Sequence, residues 1–155
     1  MSKVKISKYP FGKKAGKGKY YYPIEIAVLV PSTTPTKDKQ GRDTQKFIGT
    51  KQFNRRVEET KRKLISLFGG HTTVRGKGGF YSDELGKVIS EKVAKVTSFA
   101  ERDKHRKNKR RLLEWIKIKK RQWQQESIGI ESEGDLHYYW TSFKSILYIL
   151  LHFLQ

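Results

Sequence analysis

The feature that most narrows the fold is a stripe of six residues that runs into a pair of glycines. Phe53, Val57, Thr60, Leu64, Leu67 and Phe68 recur at spacings of 4, 3, 4, 3 and 1. At about 100° per residue they fall within about 100° of arc, so one narrow face of a helix is apolar. Arg55, Glu58, Glu59, Arg62 and Lys63 lie off that face. Gly69-Gly70 supplies the stop, because glycine accepts the left-handed conformation that ends helices. Such a helix must bury its stripe against a second layer.

The flanking segments supply strands for that layer. Ile24, Ile26, Val28 and Val30 alternate with Glu25, Ala27 and Leu29, so both faces are mostly apolar. That fits an inner strand within Tyr20 to Val30, stopped by Pro31. Residues 31–50, rich in Ser, Thr, Pro, Lys and Gly, are expected to form a polar loop. About 20 residues is long for a loop in a compact domain. After the helix, His71 to Tyr81 is predicted as a strand and Ser82-Asp83-Glu84-Leu85-Gly86 as a turn. Lys87 to Phe99, β-branched at Val88, Ile89, Val93, Val96 and Thr97, is the hairpin partner.

A second helix is predicted from about Glu101 to Glu126. Leu112, Leu113, Trp115, Ile116 and Trp123 share one broad face, with His105, Lys109 and Lys119 along the same stripe. Its first two turns are polar all round and are expected to run past the core into water. Ile128 and Ile130, then Leu136, Tyr138 and Trp140, flank Ser132-Glu133-Gly134-Asp135 as a short strand pair. Thr141 to Gln155 is an apolar tail, predicted as a short helix.

The order strand, helix, strand, strand, helix, strand is that of an α+β, ferredoxin-like split βαβ fold. It places an antiparallel sheet under two helices on one face. The division expected is a flexible basic arm at 1–19, the domain at 20–140 and the apolar tail at 141–155. The open face of the first strand would show Glu25, Ala27 and Leu29. The tail at 146–154 would cover that face or dock on a second copy.

The segment Leu67-Phe68-Gly69-Gly70-His71-Thr72-Thr73, with Gly78-Gly79-Phe80-Tyr81 and Glu91 after it, resembles a group of small uncharacterised prokaryotic and mobile-element proteins. They share an F-G-G-x-T turn after the first helix and a β-α-β-β-α-β order. The resemblance covers about residues 22–139. It implies the fold and no activity.

Charge carries the functional reading. The 155 residues hold 34 Lys and Arg against 15 Asp and Glu, a net charge of +19. Residues 1–20 carry seven lysines and no acid, among them Lys13, Lys14, Lys17 and Lys19. Residues 102–121 carry eleven basic residues against Asp103 and Glu114. A solvated helix ordinarily mixes signs for intrahelical pairing. An imbalance this large points to a polyanion, with DNA or RNA first. The candidate phosphate contacts are Lys13, Lys14, Lys17, Lys19, Arg106, Lys107, Arg110, Arg111, Lys117, Lys120 and Arg121. The plainer reading is that this charge only solvates the surface.

Other chemistries find little footing. There is no cysteine, so disulfides and thiolate zinc sites are excluded. His71, His105, His137 and His152 show no ligand spacing, and no Ser/His/Asp pattern stands out. A metal-dependent nuclease would need clustered carboxylates, yet Asp83, Glu84 and Glu91 have nothing in sequence to gather them. Arg75-Gly76-Lys77-Gly78-Gly79-Phe80-Tyr81 only partly matches an RNA-stacking stretch, because Gly79 stands where an aromatic is needed. Glycines there more often mark a bulge or a close backbone approach. No cofactor, metal or membrane partner is expected: Ile146 to Leu154 falls short of the roughly 20 residues of a span. No apolar run follows the N-terminal lysines, so a signal peptide is not expected and the cytoplasm is the expected location. The leading expectation is a nucleic-acid binder with backbone contacts and low sequence specificity. The alternatives are an assembly module, such as a homodimer, and a metal-dependent nuclease.

Overall fold

A computed structural model describes residues 13–14, 20–83 and 85–140. Most of the expected arm (1–12 and 15–19, with Lys17 and Lys19) and the expected C-terminal helix at 141–155 lie outside the described residues. Within the arm, β1 (Lys13–Lys14) pairs antiparallel with β2 (Tyr20–Tyr21).

The described residues form an α+β fold, with a five-stranded antiparallel sheet and two helices. Its centre is β3 (Ile24–Pro31), whose Ile24, Ile26, Val28 and Val30 are all buried. Two apolar faces make it the inner strand, and it hydrogen-bonds to β7 (Lys87–Ala100) on one side and β8 (Ser127–Ser132) on the other. β6 (Thr72–Ser82) flanks β7, and β9 (Asp135–Trp140) flanks β8. The sheet order is β6-β7-β3-β8-β9.

α1 (Thr50–Phe68) buries Phe53, Val57, Thr60, Leu64, Leu67 and Phe68, the whole predicted stripe. It stops at Gly69, where φ is 101° and the amide donates to the Ile65 carbonyl at 2.8 Å. α2 (Arg102–Gln122) buries Leu112, Ile116 and Lys120, and Trp123 after it. The apolar side chains among these meet Val96 and Ala100 of β7 and Ile128 and Ile130 of β8 in one core. Arg56 is 3 % exposed within it. Its guanidinium donates to the carbonyls of Pro31 and Thr33 at 3.0 Å and of Trp123 at 3.1 Å, and lies 5.3 Å from the Trp123 ring centre. One buried cation thus fastens the end of β3 to the end of α2.

Three expectations change. Residues 31–50 are not a loop but contain a hairpin, β4 (Thr33–Lys37) with β5 (Asp43–Phe47). The Asp38 carboxylate locks its tip, accepting from the backbone amides of Gln40 and Arg42 and from Arg42 Nε, each at 2.9 Å. The first turns of α2 do not run into water. Asn108 Nδ2 donates to the Leu67 carbonyl at 3.0 Å, and the His105 ring sits 6.4 Å from Phe68, so they pack on the end of α1. Burial therefore holds the His105 imidazole below its usual range, Lys109 adds to this, and Glu133 opposes it. On the open sheet face, Glu25 is exposed and Leu29 half-buried, but Ala27 is fully buried. Lys95 of β7 reaches across β3 to the Glu131 carboxylate of β8.

Candidate nucleic-acid interface

The solvent side of α2 is set by the turn geometry of the helix. Leu112, Ile116 and Lys120 recur every fourth residue and point into the core. Lys107, Arg110, Arg111 and Arg121 are exposed and fall, at about 100° per residue, within about 100° of the opposite side. None of the four forms an ion pair among the described residues. Arg106 pairs with Asp103 and Lys117 with Glu114, both at 3.1 Å and both well exposed. Exposed pairs of that kind are worth about 0–1 kcal/mol, so a stronger anion can displace them.

Lys120 leaves the candidate set. It is 6 % exposed, on the core side of the helix, and burial lowers its pKa against the opposing effect of Glu126. A side chain so placed cannot meet a phosphate. Lys109, expected along the apolar stripe, is exposed. Lys119 is half-buried, paired with Glu59 of α1 at 2.8 Å and set 5.8 Å from the Trp115 ring centre. Lys13 and Lys14 lie in β1, away from α2 in sequence and in a separate sheet.

The structure adds cations that block counting overlooked. A shallow groove between the helices is lined by Arg62, Lys63 and Ser66 of α1 and by Trp115 and Lys119 of α2, with Glu59. Burial holds the Lys63 ammonium below the usual lysine range, and the charge of the Arg111 guanidinium on α2 lowers it further. Two cations from different helices thus repel each other, although Glu59, paired with Lys119, lies in the same groove. The signal was available in sequence: Arg62 and Lys63 lie off the α1 stripe. Farther along the same face, Arg75 of β6 lies 5.2 Å from the Phe53 ring centre and donates to Asn54 Oδ1 at 2.9 Å.

Among the described residues no three His, Asp or Glu side chains gather as a metal site requires. No described helix is long and apolar enough to cross a membrane.

No known family profile matches the chain, and no curated protein does. A solved structure of a phage SAM lyase in complex with S-methyl-5'-thioadenosine is similar at a TM-score of 0.47 and 12 % identity, over 77 % of this chain and 91 % of that one. So slight a likeness bears on neither architecture nor chemistry.

Proposed function

We propose that this chain binds nucleic acid through the phosphate backbone, using the outer face of α2 and the groove beside α1, with little base specificity. The observation that carries the reading is the outer face of α2, where Lys107, Arg110, Arg111 and Arg121 are exposed and form no ion pair among the described residues, with Lys63 of α1 feeling the charge of Arg111 beside them. Lys107 to Arg121 spans about 21 Å of helix, a length over which duplex DNA carries about twelve charges. Phosphates along that line would relieve the repulsion and release counterions. The body that presents these cations is read as a ferredoxin-like split βαβ with β9 added at one edge, a reading supported by the order β6-β7-β3-β8-β9.

Fluorescence anisotropy with labelled DNA and RNA, duplex and single-stranded, tests this. With six or more phosphate contacts the affinity drops about 10³–10⁵-fold between 50 and 200 mM salt. Failure to bind any of the four in dilute buffer, or binding indifferent to salt, removes the reading. A second reading has its own support. Val74, Phe99, Leu136 and Tyr138, all on the sheet face away from the helices, are exposed. They favour assembly through that face, which sedimentation of the full chain as a dimer would reveal.

A further inference from the structure

The helix-free face of the sheet holds a different chemistry. Where β3 gives way to β4, a depression of about 470 Å³ opens beside the edge of β8. That volume is typical of sites for small molecules, about 300–1,000 Å³. Leu29, Pro31, Val93 and Tyr138 make apolar walls. Glycines keep it open. Gly78 stands opposite Glu91 in the β6–β7 ladder, and a Cβ there would meet only Val93 Cγ1, at 3.7 Å. A Cβ on Gly129 would lie 3.0 Å from Leu29 Cδ1 and 3.4 Å from Tyr138 Cε1, so glycine lets these two walls close in. Glycine inside a strand weakens it and marks places where another group approaches the backbone closely.

The charged and orphaned side-chain groups left for a ligand are acceptors, beside the hydroxyls of Ser127 and Tyr138. Glu91 Oε2 takes a hydrogen bond from Thr33 Oγ1 at 2.6 Å, and its other oxygen has no partner among the described residues. Gln45 Oε1 is buried and likewise lacks a donor. Glu126 adds a second carboxylate to the lining. Among the described residues no Lys or Arg lines the depression, although the chain carries +19. Arg56 and Lys120, which feel the charges of Glu91 and Glu126, stay behind the wall, with both Arg56 amino groups committed to backbone carbonyls.

We propose that this depression binds a small organic cation: a primary amine or amidine carried on a flat apolar body. The body lies against Leu29, Val93 and Tyr138, and the N–H donors meet Glu91 and Gln45. A buried acceptor without a donor is costly, so a ligand that supplies one is favoured beyond its apolar area. The site lies on the sheet face opposite α2 and does not depend on nucleic-acid binding.

Calorimetry on the full chain tests the proposal with tryptamine, neutral 3-methylindole and anionic indole-3-acetate. Tryptamine binds about ten- to a hundredfold more tightly than 3-methylindole, and indole-3-acetate binds worst. Glu91→Gln keeps the shape of the side chain and removes that preference. Gly78→Val puts a side chain suited to a strand into the depression beside Val93 and weakens binding of all three about tenfold or more. Melting curves establish that both variants fold. The proposal is overturned if tryptamine does not bind at millimolar concentration, if the three probes bind alike, if Glu91→Gln keeps the preference for tryptamine, or if Gly78→Val leaves tryptamine affinity unchanged.

Discussion

Replacing Lys107, Arg110 and Arg111 together by Gln removes half of the six cations of the proposed interface that form no ion pair among the described residues, Arg62, Lys63 and Arg121 being the others. Each phosphate contact contributes about 0.9 to the slope of log affinity against log salt. Six contacts give a slope near −5.4 and a loss of about 1,800-fold between 50 and 200 mM salt; three give about −2.7 and a loss of only about 40-fold. The three side chains are exposed, so stability should change by less than about 0.5 kcal/mol for each. The control variant carries Lys39→Gln, Lys46→Gln and Lys87→Gln. These are exposed lysines outside both helices, and the change in net charge is identical. Anisotropy titrations at five salt concentrations yield both slopes. Should the control flatten the slope as much as the helix variant, net charge alone governs binding and the helical face has no special part.

Two further substitutions probe the body beneath that face. Arg56→Met strands the carbonyls of Pro31, Thr33 and Trp123 and is expected to cost about 3 kcal/mol or more in urea denaturation, whereas a cost under 1 kcal/mol would show that water reaches them. The pKa of His105 is lower folded than unfolded, so the unfolded chain binds the extra proton; the melting temperature is expected to be highest above the usual imidazole value of about 6.5 and to drop as pH falls through it. His105→Leu should flatten that dependence between pH 7.5 and 5.5, and an unchanged profile would place its origin elsewhere.

What the sequence disclosed followed the strength of its periodic signals. α1 was legible because six residues crowd one arc and Gly69 can take φ of 101°. β3 was legible because both its faces are apolar, as only an inner strand requires. The β4–β5 hairpin was hidden because Pro35, Lys37, Asp38 and Gly41 are loop formers. Its strand signal was confined to short-range threonines, Thr33, Thr34, Thr36 and Thr44. The docking of the start of α2 is hidden in sequence because its contacts are polar: Asn108 holds a carbonyl at the end of α1, and no hydrophobic pattern records such a bond. In the candidate site the excess of charge was plain, but its distribution needed the turn angle of each residue. Lys120 lies one turn from Ile116 and is buried, whereas Arg121, next to it, is exposed. Glu91 and Gln45 could not be paired from sequence, since 46 positions separate them and the β4–β5 hairpin that presents Gln45 was itself missed.

The sheet separates two chemistries of opposite sign, and salt distinguishes them. Phosphates bound to α2 displace counterions, so added salt weakens them. An amine seated against Glu91 also feels the six cations of the proposed nucleic-acid interface named above. Taken at about 15 Å in water, Coulomb's law makes each repel it by about 0.3 kcal/mol, or about 1.7 kcal/mol in all before screening. The Debye length shrinks from about 30 Å at 10 mM salt to about 8 Å at 150 mM, so this repulsion falls from about 1 to about 0.3 kcal/mol. The contact with Glu91 is partly buried and screened far less. Tryptamine affinity should therefore rise about threefold over the range in which nucleic-acid affinity collapses. A parallel loss of both would mean that the amine rests on an exposed carboxylate at the rim rather than within the depression.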